Sequence, residues 1–203
     1  MPAGTVGERR VIAGVVLAAG LSRRMGRSKL LLDLGGRPVI RRVVEGVAGW
    51  GVDDLVVVVP PDHADLAAAL TGIRHRLAVN PAPESGQAGS VVAGIAALGP
   101  AVRAALIALG DQPVVPRAVP LALITAYKAT AKAIVAPRYR DGRGNPVLFD
   151  ASVFPELLGL TGDAGARAVI DADPARVALV SFDLPMPPDI DTPEDYETLR
   201  GRL

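Results

Sequence analysis

Short runs of Val, Ile, Leu and Ala recur along the chain at 11–17, 55–59, 76–79, 104–109, 133–136, 146–149 and 177–182. Each has strand length, and several are continuous rather than alternating, which predicts strands of a parallel sheet buried on both faces. Between them lie longer segments of mixed polarity at 38–50, 64–70, 90–98, 116–130, 164–171 and 193–203, read as helices. Pro38 and Pro116 sit where a first helical turn tolerates proline. Thr192-Pro193-Glu194-Asp195 combines a cap residue, proline at the first helical position and first-turn acids. Strand then helix, repeated, predicts a single-domain α/β fold, Rossmann-like, with three αβα layers and a mostly parallel sheet. No internal repeat or low-complexity linker divides the chain. One domain over 1–203 is therefore expected, with 1–9 flexible, and the Pro/Gly-rich stretches at 80–89 and 185–193 read as active-site loops.

Composition narrows the partners. With 203 residues, half of them apolar, the chain can bury one sizeable core. A formal charge of +1 gives no basic excess of the kind that marks a nucleic-acid binder, so no nucleic acid is expected as a partner. A small anion at a local cluster stays open. The basic residues are 19 Arg and three Lys, at 29, 128 and 132. Lys29 is thus an uncommon choice in a loop that already carries Arg23, Arg24 and Arg27. The absence of cysteine excludes disulfides, Cys-ligated zinc and thiol catalysis. His63 and His75 are too few and too scattered for a His-based metal centre. "VIAGVVLAAG", preceded by Glu8-Arg9-Arg10, has the length of a signal-peptide apolar region. The strongly basic residues after it, and the loss of a good strand on cleavage, count against that reading. No run approaches the ~18 apolar residues that span a bilayer. A cytoplasmic protein with no membrane partner is expected.

In α/β sheets ligands bind beyond the carboxyl ends of the strands, so the loops there carry the candidate chemistry. After the first strand come Ala18-Ala19-Gly20, small enough for backbone to approach a phosphate, and then the cations ending at Lys29. The loop is neither a dinucleotide fingerprint, lacking G-x-G-x-x-G, nor a Walker A loop, since Leu30 follows Lys29. A solvated basic loop is the bland alternative. Asp111-Gln112-Pro113 follows the strand "AALIALG", and "PPDIDTPEDY" places Asp189 and Asp191 just before a helix. Asp111 alone reads equally as a turn acid, and Asp191 as a residue beside a cap. Two carboxylates from separate loops, a cationic loop and a Gly-rich loop together describe a nucleotide-phosphate site with a hard divalent cation. Other residues read as structural. His63 and His75 suit the surface and Trp50 suits packing, while Ser22 and Ser85 lack the spacing of a hydrolase triad.

"VVLAAGLSRRMGRSKLLL", "LGDQP", "RGNPVLF", "GDAGAR" and "DIDTPEDY" occur in that order from about Val11 to Leu199. This chain resembles the nucleotidyltransferases of molybdenum cofactor maturation, and among them the molybdenum cofactor cytidylyltransferases. The first motif is shared across a wider nucleotidyltransferase superfamily, whereas the GDQP, G-N-P-V and GDAGAR combination is more specific. Relatives often carry G-H-P-V where this chain has Gly144-Asn145-Pro146-Val147. The resemblance implies CMP transfer from CTP to the terminal phosphate of molybdopterin, with Mg²⁺ or Mn²⁺ as cofactor. Leu17, Ala18, Ala19 and Gly20 would hold the base in the cytidylyl form of the turn, with Asn80, Gly86 and Ser90 lining the nucleotide pocket. Arg24 and Lys29 would grip the triphosphate, and Asp111 and Asp191 would hold the metal. Asn145, Gly162 and Asp163 would lie toward the pterin. A receiving molybdoenzyme or its insertion chaperone is the further partner implied.

Other functions remain on the sequence alone. A non-catalytic pterin carrier would be expected to lose Lys29 or a carboxylate, and this chain keeps all three. An NAD-dependent dehydrogenase would share the architecture but needs the missing glycine pattern. A guanylyltransferase, or an enzyme acting on another small phosphorylated acceptor, is the nearest alternative.

Overall fold

The computed structural model describes residues 10–20, 28–162 and 165–202. Strands β1 (Val11–Leu17), β2 (Asp54–Val59), β3 (Arg76–Val79) and β4 (Val102–Leu109) form a parallel block in the order β3-β2-β1-β4. Beyond β4 the sheet turns mixed: β7 (Val147–Asp150) runs antiparallel to both β4 and β5 (Ile134–Tyr139). The two-residue β6 (Gly142–Arg143) returns from β5 along the edge that β7 then continues, so Gly144-Asn145-Pro146 interrupts one antiparallel strand. β8 (Val177–Ser181) pairs in parallel on the other edge of β5.

The continuous apolar strands have the meaning expected of them, because side-chain parity divides the sheet between two cores. Ala104, Leu106 and Ala108 of β4 join one cluster with α1 (Val39–Ala48), α2 (Ala64–Ala69), α4 (Ala118–Ala129) and α7 (Pro193–Arg200). Ala105 and Ile107 point the other way, to α3 (Gln87–Ala96), α5 (Phe154–Leu158) and α6 (Arg167–Ala172). The result is a single-domain αβα fold with a mostly parallel sheet. Trp50 is buried in the first cluster, in keeping with a packing role.

Each predicted strand and helix appears, β1 and β3 with the expected bounds and the others with shifted ends. α3 begins at Gln87 rather than Ser90 because Gly86, at φ 100°, turns the chain out of the 3-10 segment Pro83–Ser85 directly into the helix. α5 and β6 were not foreseen. α5 has five residues with proline in its first turn, too short for a 3.6-residue pattern, and β6 is defined by its pairing with β5 alone.

Candidate active site

β1 and β4 end side by side, with Leu17 and Leu109 in register. Immediately past them the two chains touch: Gly110 N–H donates to Leu17 O at 2.9 Å. A Cβ on Gly110 would lie 2.8 Å from that oxygen and 3.3 Å from Ala18 Cα, so only glycine permits this approach of backbone to backbone. Ala18 N–H donates across to Val58 O at 2.8 Å, and Ala18 and Ala19 are buried. The chain leaving β1 is thereby pinned on both sides before Gly20 reaches the surface.

Lys29 opens a 3-10 turn, Lys29–Leu31, anchored by buried Leu30. Its Nζ donates to Asp111 Oδ2 at 2.7 Å and to Asp191 Oδ1 at 2.9 Å. Burial pulls the pKa of Lys29 down. The Asp111 charge and the hydrogen bonds to both acids outweigh it, so the net shift is upward from 10.5 and the ammonium persists well above neutral pH. Asp111 sits just past β4. Its carbonyl accepts from Ile190 N–H at 3.1 Å, which fastens the 189–191 segment to the strand end, and Ile190 is fully buried. On the far side of Asp191, α7 begins with a capping box. Asp195 N–H donates to Thr192 Oγ1, while the Asp195 carboxylate accepts from the N–H groups of Asp191 and Thr192. Asp189 completes a trio of acids. Burial, then the charge of Asp111, pushes its carboxyl above the usual value, with a hydrogen bond from Gln112 opposing. Gln112 is 3% exposed, donates to Pro187 O at 3.2 Å, and has no partner for Oε1 among the described residues.

Two clefts meet here. The smaller, about 250 Å³, is lined by Gly20, Gly86, Ser90 and Asp111 among others. The larger, about 420 Å³, is lined by Gln112, Arg143, Asn145, Arg167, Met186 and Asp189 along with apolar side chains of β4, β7 and α6. Asn80 is buried and lines neither. It donates to Ser90 Oγ at 3.1 Å and accepts from Ala82 N–H at 3.1 Å, so it supports the smaller cleft from behind. Ala18 likewise packs beneath rather than into the cleft. Tyr139 OH donates to Asn145 O at 2.7 Å and holds the Gly144-Asn145 turn at the larger cleft. Burial raises its phenol to about 12. Gly162 contributes a carbonyl that accepts from Ala88 N–H at 3.2 Å, at the start of α3. Arg24 and Asp163 lie outside the described residues. His63 and His75 are partly exposed, and among the described residues their ring nitrogens meet backbone carbonyls of their own loops.

The structure therefore brings Lys29, Asp111 and Asp191 together, sets Ala19, Gly20, Gly86 and Ser90 at one cleft, puts Asn145 at the other, and gives Leu17 to both. Gln112, Arg143 and Arg167 lie within the motifs LGDQP, RGNPVLF and GDAGAR but have no role assigned at the level of sequence, Met186 lies in none of them, and Asp189 stands beside Asp191 with no role of its own there. Asp111 and Asp191 already converge on one cationic atom. Two hard-oxygen donors with room beside them suit a divalent ion whose other ligands come from phosphates and water. No cluster of three or more His, Cys, Asp or Glu forms a complete metal cage among the described residues.

A mixed α/β sheet with its pockets at the strand ends, and a lysine held between an acid just past β4 and another just before α7, suits a nucleotide-phosphate site. The MobA-like NTP transferase domain matches residues 14–178, and this chain belongs to that family. It is 31% identical over 203 residues to "Purine catabolism protein PucB" of Bacillus subtilis (strain 168), covering 95% of this chain and 97% of that one. It is also 31% identical over 196 residues to "Nicotine blue oxidoreductase" of Paenarthrobacter nicotinovorans, covering 93% of each. A protein of Natronomonas pharaonis named "Probable molybdenum cofactor guanylyltransferase" is 38% identical over 92 residues, 44% of each chain. Among solved structures, Rv0371c from Mycobacterium tuberculosis H37Rv superimposes with a TM-score of 0.87 at 32% identity, covering 95% of this chain and 98% of that one. Its complex with manganese gives 0.82 at 29% identity, covering 95% and 99%.

Proposed function

We propose that this protein transfers CMP from CTP to the terminal phosphate of molybdopterin, releasing pyrophosphate and forming molybdopterin cytosine dinucleotide. The observation that carries the reading is the Lys29 ammonium held between Asp111 and Asp191, at 2.7 and 2.9 Å, beside two joined clefts. The smaller cleft takes the nucleotide and the larger takes the pterin. An oxygen of the acceptor phosphate forms a bond to the α-phosphorus. The bond from that phosphorus to the bridging oxygen breaks, and pyrophosphate leaves with the electron pair. A phosphate monoester is largely anionic near neutral pH, so no strong general base is needed. The barrier is repulsion between anions, and positioning with charge neutralisation lowers it.

Lys29, protonated across the neutral range, supplies fixed positive charge to the donor phosphates, and by resemblance Arg24 supplies more. Asp111 and Asp191 are the residues that would hold Mg²⁺ or Mn²⁺, which when bound neutralises phosphate charge; the manganese complex of Rv0371c supports this reading. Ala19 and Gly20 leave room for the base, and the Leu17-Ala18-Ala19-Gly20 form of the turn favours cytosine. The relative named a guanylyltransferase favours GTP as the alternative donor. The relative named an oxidoreductase favours a second reading, redox chemistry on a heterocycle in the larger cleft. The test is pyrophosphate release with each of the four NTPs and Mg²⁺, with and without molybdopterin, beside an NADH-oxidation control. Release with CTP that depends on molybdopterin is expected. Release with GTP in place of CTP overturns the donor, release independent of molybdopterin overturns the acceptor, and NADH oxidation alone overturns the reaction class.

A further inference from the structure

Leu17, Gln87 and Leu109 line both clefts, so they form the wall across which any group must pass. Leu17 and Leu109 are apolar and paired at the ends of β1 and β4. They give the crossing a floor that can neither donate a hydrogen bond nor carry charge. Gln87, the first residue of α3, is the polar member of the three. It is exposed, and its carboxamide has no hydrogen-bond partner among the described residues.

The surroundings leave space for that carboxamide. Gly165 has φ 53°, and a Cβ there would stand 2.3 Å from Gln87 Oε1. Any other residue at 165 would displace the amide. The backbone at the base of the side chain is fixed by Ala88 N–H donating to Gly162 O. Gln87, at the start of α3, thus has its side chain beside Gly165 and lines both clefts.

We propose that Gln87 is a catalytic residue that donates a hydrogen bond from Nε2 to a non-bridging oxygen of the nucleotide α-phosphate as its bond to pyrophosphate is exchanged for a bond to the acceptor at the junction of the clefts. The proposal rests on the nucleotidyl-transfer reading above. An amide suits the position because it donates without changing charge. No proton passes through Gln87: the acceptor oxygen bonds to the α-phosphorus, the bond to the β-phosphate breaks, and pyrophosphate carries off the electron pair. A donor aimed at charge that grows in the transition state acts on kcat more than on ground-state binding.

Wild type, Gln87→Ala and Gln87→Glu are compared by pyrophosphate release with Mg-CTP and molybdopterin. For Gln87→Ala we expect kcat to fall on the order of 10²-fold, as when one donor to a developing oxyanion is removed. KM for CTP should stay within about twofold and the melting temperature should be unchanged. Gln87→Glu, with a carboxylate facing phosphate, should be slower still. A wild-type kcat in Gln87→Ala, or a raised KM with kcat kept, overturns the proposal. A second measurement is independent of turnover. The ¹⁵N side-chain amide signal of Gln87, assigned by its loss in Gln87→Ala, should move on addition of Mg-CTP and move again with molybdopterin. A wild type inactive with all four NTPs sinks the transferase reading. An amide signal that responds to neither ligand sinks the placement of Gln87, whichever reaction the protein performs.

Discussion

Asp111 makes one contact that matters for charge and one that matters for shape: its carboxylate takes Lys29 Nζ, and its carbonyl takes Ile190 N–H. Asp111→Ala removes only the first. Lys29 keeps Asp191 as a partner, so the ammonium is not left orphaned, and the stability loss should be about 1 kcal/mol. Turnover should fall on the order of 10²–10³-fold, because charge neutralisation at the reacting phosphates is lost. Pyrophosphate release and a thermal melt on the same sample check both halves. Near-normal turnover at low Mg²⁺ would mean that Asp111 holds no metal. Lys29, Asp111 and Asp191 stood out in the sequence by their loops, Lys29 at the end of the cationic stretch after β1, Asp111 just past the apolar run of β4 and Asp191 just before the cap of α7, whereas their convergence needed the folded chain. Gln112 did not, since its place depends on Pro187 O, 75 residues away, and no local pattern encodes such a contact. Gln87 was missed for a similar reason. Its position matters because two clefts share it, and neither cleft exists in the one-dimensional chain.

At the level of elements, the site depends on the seam between β1 and β4. Gly110→Ala sets a methyl group against Leu17 O and Ala18 Cα, which are backbone atoms with nowhere to go. The variant should lose about 1–3 kcal/mol of stability, the usual cost of overpacking, and lose activity because the Ala18–Gly20 turn moves. Urea denaturation with an activity assay tests this; full activity at wild-type stability would mean the seam is soft. Thr192→Ala removes one bond of the α7 capping box and should cost about 1 kcal/mol, read as a drop in melting temperature of about 2–4 °C. Because Asp195 also holds Asp191 N–H, that variant should show a reduced kcat as well. The Thr-Pro-Glu-Asp start of α7 was readable from sequence because a cap is local chemistry. The antiparallel insertion of β7 between β4 and β5 was not, since the apolar run Val147-Leu148-Phe149 looks the same in either direction. Strand direction is set by what precedes it, here the β5–β6 hairpin, and that hairpin is too short to announce itself.

The whole molecule is a sheet buried on both faces, so its edges carry the exposed polar links. At the β2–β3 edge Arg76 pairs with Asp54 and donates to Ala97 O at 2.7 Å, tying β3 to the end of α3. The hydrogen bond from Arg76 holds the Asp54 carboxyl below 3.8 against the opposing effect of burial. A carboxylate with a depressed folded pKa stabilises the fold above its unfolded value and loses that contribution as pH falls through the folded one. Arg76→Ala should therefore melt about 1–3 °C below wild type at pH 7, the scale of an exposed ion pair in a domain of this size. The difference should shrink as pH is lowered beneath 3.8. A gap unchanged with pH would assign the effect to the Ala97 contact instead. The two-cored α/β architecture followed from continuous apolar strands alternating with helices, whereas the meeting of two clefts at the ends of β1 and β4 required the folded chain.

The most direct test of the central claim is mass analysis of the product formed when the protein is given CTP and GTP in equal amounts with molybdopterin and Mg²⁺. Transfer at the Lys29, Asp111 and Asp191 site predicts molybdopterin cytosine dinucleotide, with pyrophosphate released in equal amount. A guanine dinucleotide would contradict the donor, and recovery of both nucleotides unchanged would contradict the reaction itself.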